Sequence, residues 1–115
     1  AGALKQARAV LEGLEVDVQA MRRNIDLTGG LVMSEAVMMG LGHHLGREAA
    51  HDLVYDLCRE SLQTGRPLID LLAAHPQIAR HADRAALERM LDPANYLGQS
   101  GAMVDRVLAR MPSAG

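Results

Sequence analysis

The chain has 115 residues, with 49% apolar residues, a formal net charge of −2 and two tyrosines as its only aromatic residues besides histidine. That size allows one folding unit that buries roughly two-thirds of its unfolded surface. Acids and bases are interspersed, and there is neither a basic stripe nor an aromatic platform, so nucleic-acid binding is not expected. No apolar run reaches the ~18 residues of a membrane span.

Without Phe or Trp, the core must come from Leu, Val, Ala and Met, and apart from Val these favour helices. The first predicted element is a long amphipathic helix. Leu4, Leu11, Leu14, Val18, Met21 and Ile25 form a narrow stripe on it, suited to a bundle, an oligomer or an intradomain core. Thr28-Gly29-Gly30 breaks this helix, because each interior glycine costs about 1 kcal/mol. Thr28 and Gly30 are equally good caps for a second helix. That helix spans Leu31 to Leu45, with Val32, Ala36, Met39 and His43 on one face, and Gly40 and Gly42 mark close packing or fraying. Gly46 stops it.

A helix over Arg47 to Gln63 carries Ala50, Leu53, Val54, Leu57, Cys58 and Leu62, and Gly65 ends it. Pro67 opens a short helix, Leu68 to Ala74, which Pro76 closes. Asp83 caps Ala85 to Leu91, and Asp92-Pro93 restarts the chain. A last helix, Ala102 to Arg110, places Met103, Val104, Val107, Leu108 and Met111 inward, before a frayed tail, Pro112 to Gly115. The fold class is all-α: a bundle segment followed by a small multi-helix domain.

The candidate chemistry is sparse. His43 and His44 point different ways, His44 and His51 straddle Gly46, and His75 and His81 lie near loops. None shows zinc-ligand spacing, so no metal is expected. Cys58 reads as an inert thiol on an apolar face. One cysteine and no signal peptide make a reducing, cytoplasmic setting the expectation. Arg22, Arg23, Asn24 and Asp26 gather at a helix end, where cations complement the dipole. Arg22 and Asn24 are candidates for holding a domain junction. Glu35, Arg47 and His51 are candidates for an interhelical polar network. A buried mid-helix Glu35 would need a partner such as Arg47.

Four segments share a pattern: Met21-Arg22-Arg23-Asn24-Ile25-Asp26-Leu27-Thr28 with Gly30-Leu31; Ser34-Glu35-Ala36; Gly46-Arg47 with Ala50-His51; and Leu91-Asp92-Pro93 with Tyr96-Leu97-Gly98. In this order and spacing the chain resembles the C-terminal region of the fumarase/aspartase superfamily of lyases, and the likeness covers nearly all of it. Ile25 stands where Leu is more usual. Within the superfamily it resembles the branch holding adenylosuccinate lyase and 3-carboxy-cis,cis-muconate cycloisomerase. The Gly46-Arg47 and Leu91-to-Gln99 forms are nearer the cycloisomerase.

The resemblance implies a homotetramer around a central helical bundle, with active sites built from three subunits. The chemistry implied is addition or elimination across a C=C bond, without metal or organic cofactor. In the cycloisomerase this closes a lactone in protocatechuate breakdown. Residues 1–28 would end a bundle helix, and residues 29–115 would form the small C-terminal domain beside the active-site mouth. The family's Ser-bearing signature loop and its catalytic histidine segments have no counterpart here, so no catalytic residue is assigned. The chain, which does not begin with Met, is expected to be a piece of something longer and inactive alone. A di- or tricarboxylate would be substrate only of the full enzyme. The alternatives are the same region of adenylosuccinate lyase or another lyase of the superfamily, and a stand-alone helical interaction module.

Overall fold

A computed structural model describes residues 2–111, so the expected tail from Pro112 lies outside the described residues. These residues form eight α-helices: α1 Gly2–Glu12, α2 Val18–Asp26, α3 Ser34–Leu45, α4 Arg47–Thr64, α5 Leu68–Ala74, α6 Pro76–Ala79, α7 Arg84–Leu91 and α8 Ser100–Leu108. Two 3₁₀ turns, Leu31–Met33 and Pro93–Tyr96, complete the described elements. The all-α expectation holds.

The core is built by α3 to α7. Val37 and Leu41 of α3 meet Ala50, Val54 and Leu57 of α4, then Leu68, Leu71 and Leu72 of α5, Ile78 of α6, and Ala82 and Leu87 near and on α7. No residue of α1, α2 or α8 is buried. The radius of gyration, 20.0 Å, well exceeds the roughly 13 Å of a compact chain of this size. The described chain is drawn out to 61 Å along its longest axis, with α1, α2 and α8 contributing nothing to the core.

The expected single first helix is two. Gly13 ends α1, and the Asp17 carboxylate accepts from the Ala20 N–H at 2.8 Å to start α2. An exposed helix has no packing to offset an internal glycine, so the break falls there. Leu11, Leu14, Val18 and Met21 are all more than half exposed.

Several faces also differ from the pattern. In α3 the buried pair is Val37 and Leu41, whereas Met39, and Val32 in the 3₁₀ turn before the helix, face solvent. This helix is apolar on nearly every side, so periodicity could not choose the face that α4 and α7 cover. A Cβ on Gly40 would sit 2.8 Å from Met90 Sδ, so the close approach there is to a side chain of α7. In α4 the stripe continues through Ser61, and Leu62 is exposed. The Ser61 hydroxyl donates to the Arg66 carbonyl at 2.6 Å, closing the turn at Gly65, which takes φ +71°. The methionines and aliphatic residues of α8 and of the turn after it do not face inward: Met103, Val104, Val107, Leu108 and Met111 are 56–61% exposed.

The caps follow the chemistry. His75 is extended, as a residue before proline should be, and Pro76 begins α6 besides following α5. The Asp83 carboxylate accepts from the Ala86 N–H at 2.7 Å, and that of Asp92 from the Ala94 N–H at 3.0 Å. Asp83→Ala should therefore lower stability by about 1 kcal/mol, read as a shifted urea midpoint at constant slope. An unchanged midpoint would mean that the Asp83 cap contributes nothing to stability.

Candidate functional site

The break between α2 and the first 3₁₀ turn is a built junction. Gly29 and Gly30 take φ +59° and +96°, a left-handed conformation that other residues avoid. The Leu68 N–H donates to the Gly29 carbonyl at 3.1 Å, tying the break to α5. Thr28 Oγ1 accepts from the Val32 N–H at 3.2 Å, while Gly30 takes the N-cap backbone position, so both cap candidates serve. The axes of Val18–Asp26 and Leu31–Leu45 are bent by 79°.

An open groove of about 390 Å³ lies beside this junction, lined by Arg22, Asp26, Gly29, Gly30, Pro67, Ile69, Arg84, Glu88, Leu91 and Asp92. Arg22 Nε faces Asp26 Oδ2 at 3.3 Å. Arg84 bridges two helices, with Nη1 on Asp70 at 3.0 Å and Nε on Glu88 at 3.1 Å. Asp70 first, and Glu88 after it, hold the Arg84 guanidinium above its ordinary pKa. Both guanidiniums already face carboxylates and Asp92 adds a further acid, so the groove offers no free cation for an anionic ligand. Sequence reading missed Arg84, Asp70 and Glu88. The Arg84–Glu88 spacing of four was a usable signal, while Asp70 reaches Arg84 only through the packing of α5 on α7.

The other candidates separate. Arg22 lines the junction groove; Asn24 is exposed and makes no side-chain hydrogen bond among the described residues. Glu35, Arg47 and His51 do share a second, smaller groove with Met38 and Met39. The expected network is not formed: among the described residues no ion pair joins Glu35 to Arg47, and His51 Nδ1 instead lies 3.1 Å from Asp52 Oδ1. The His51 ring stacks on Tyr55 at 6.3 Å. Glu35 is exposed in the first turn of α3, where the helix dipole favours its charge, so it needs no buried partner. In a double-mutant cycle, Glu35→Gln and Arg47→Gln should therefore be additive in urea unfolding, and a coupling above about 0.5 kcal/mol would restore the pair.

Cys58 is half-buried, and burial pushes its thiol pKa up, partly opposed by the Ser34 hydroxyl. A raised pKa leaves little thiolate at neutral pH. Among the described residues no three His, Cys, Asp or Glu side chains converge on one point, and no single helix is long and apolar enough to cross a membrane.

The family profile described as "Adenylosuccinate lyase C-terminus" matches residues 30–107, from the junction through α8. The chain belongs to this family, the C-terminal region of the fumarase/aspartase superfamily. Among relatives of this superfamily region, trans-aconitate decarboxylase 1 of Mycosarcoma maydis is 54% identical over 97% of the chain and 23% of that protein. The 3-carboxy-cis,cis-muconate cycloisomerase of Pseudomonas aeruginosa is 50% identical over 95% of the chain and 24% of that protein. The solved 3-carboxy-cis,cis-muconate lactonizing enzyme of Pseudomonas putida matches 94% of the chain and 25% of its own, with a TM-score of 0.84 and 44% identity. The chain thus spans about a quarter of the length of these lyase-superfamily relatives.

Proposed function

We propose that the chain is the C-terminal region of a cycloisomerase-like enzyme that closes a lactone by addition across a C=C bond in aromatic catabolism. Its role is to complete the fold, cover the active-site mouth and support homo-oligomeric assembly. Residues 1–28 then serve as the end of a bundle arm and residues 29–115 as the small helical domain. The observation that carries this reading is the match of nearly the whole chain to only about a quarter of a muconate cycloisomerase. The junction groove agrees with it, since both of its guanidiniums are already engaged by carboxylates and it contains no histidine, cysteine, serine or lysine.

A second reading has its own support. The 54% identical relative is named a trans-aconitate decarboxylase, so the parent enzyme would act on a tricarboxylate by loss of its carboxyl group. Assays of the full-length enzyme on 3-carboxymuconate, trans-aconitate and adenylosuccinate distinguish these readings. Lactone formation from the first substrate is expected, together with no turnover by the isolated chain. Decarboxylation alone would replace the first reading with the second. Turnover by the isolated chain would overturn the non-catalytic role.

A further inference from the structure

α8 and the turn after it leave one apolar face without a partner among the described residues. Val104, Val107, Leu108 and Met111 recur at the i, i+3, i+4, i+7 spacing of a helix that lies in an apolar groove, and each is more than half exposed. Arg106 and Arg110, four residues apart, run along one edge of that stripe. Neither joins an ion pair among the described residues, and Arg106 Nε donates to the Ala102 carbonyl at 3.2 Å. A groove of complementary character, about 360 Å³, lies along α3, lined by Val32, Met33, Glu35, Ala36, Met39 and Tyr96. Val32, Met39 and Tyr96 are half exposed or more, and the groove's one charged residue, Glu35, has no cation partner among the described residues. The groove over residues 32–39 and the stripe over residues 104–111 each span roughly 10 Å, at ~1.5 Å of helical rise per residue. In its own chain α8 does not reach this groove, since none of its residues lines it.

We propose that α8 of one copy of this chain docks in the α3 groove of a second copy, with Arg106 and Arg110 facing Glu35. The apolar stripe covers Val32, Met39 and Tyr96, and the arginines answer the one charge that the groove leaves unpaired. Two copies related by a two-fold axis make this contact twice. Each lends its α8 and receives the other's, so the assembly closes as a dimer. Pairing of acid with base fixes which way α8 lies in the groove. The contact gives the homo-oligomeric assembly proposed above a surface separate from the stripe on α1 and α2, and it rests on that part of the reading alone.

The test is sedimentation equilibrium of the 115-residue chain, with far-UV circular dichroism to check that each variant folds. Wild type should be at least dimeric. Glu35→Arg, and separately Arg106→Glu with Arg110→Glu, should each weaken self-association about tenfold or more, because like charges then meet twice in each dimer. The three changes together set opposite charges face to face again and should return association to within about threefold of wild type. Glu48→Arg, the same charge change away from the groove, should leave association as it is. The proposal is overturned if wild type is a monomer, if Glu35→Arg associates as wild type does, if the combined variant is not restored, or if Glu48→Arg weakens association equally. A wild-type oligomer indifferent to these charges overturns this docking mode and leaves the assembly role standing, while lactone formation by the full-length enzyme is read in its own assay.

Discussion

Leu72→Ala should destabilise the chain by about 2–5 kcal/mol, the range for emptying a buried leucine site. Leu72 is fully buried in α5, where that helix meets α4, α6 and α7. Removing its side chain loses the transfer free energy of three carbons and leaves a cavity walled by helices from several directions, which limits collapse. Domains of this size hold roughly 5–15 kcal/mol in total, and a core confined to α3 to α7 sits at the low end. The variant should therefore be partly unfolded at 37 °C. Chemical unfolding followed by circular dichroism reads this as a large drop in midpoint. Leu62→Ala is the matched control: it is 71% exposed, and its change should stay within about 0.5 kcal/mol. Equal effects for the two leucines would mean that α5 does not sit in the core described.

The second large effect is on association. Leu11, Met21 and Val107 are 69%, 58% and 60% exposed, and they stand among further uncovered apolar residues on α1, α2 and α8. Apolar surface left in water is worth about 25 cal/mol per Å² when covered, and contiguous patches of it drive association. The isolated chain should run as a dimer or higher oligomer in light scattering at high micromolar concentration. The triple change Leu11→Glu, Met21→Glu, Val107→Glu places like charges on that surface and should yield a monomer. None of these residues touches the core, so far-UV circular dichroism should stay the same. A wild-type monomer at the same concentration would contradict the expectation.

The readability of the molecule followed the locality of its causes. Asp83, Asp92, Gly65 and Pro76 act within a few residues, through a cap, a left-handed turn or a missing N–H, and each was legible where it stood. The face of α3 was not, because Val37, Met38, Met39 and Leu41 offer no polar side to exclude. The face of α8 was misread for the opposite reason. Its pattern is sound, but the surface it would cover is not supplied by the described residues of its own chain. At the candidate site, the Arg22–Asp26 and Arg84–Glu88 pairs are local, whereas Asp70 joins Arg84 only through tertiary packing. The Glu35–Arg47 pairing failed because it assumed burial that a first-turn position does not have. The stacking of His44 on His81, ring centres 5.2 Å apart, left no trace in spacing, since the turn of the chain between α6 and α7 creates it.

The junction at Gly29 and Gly30 has a mechanical consequence. Two glycines usually suggest a swivel. Here one of the two is tied through its carbonyl to the N–H that begins α5, and the turn after it is held by Thr28. The elbow is thereby a fixed bracket. The chain therefore leaves the arm at a set position against the first turn of α5, and the bond between Gly29 and Leu68 is the contact whose loss would free it.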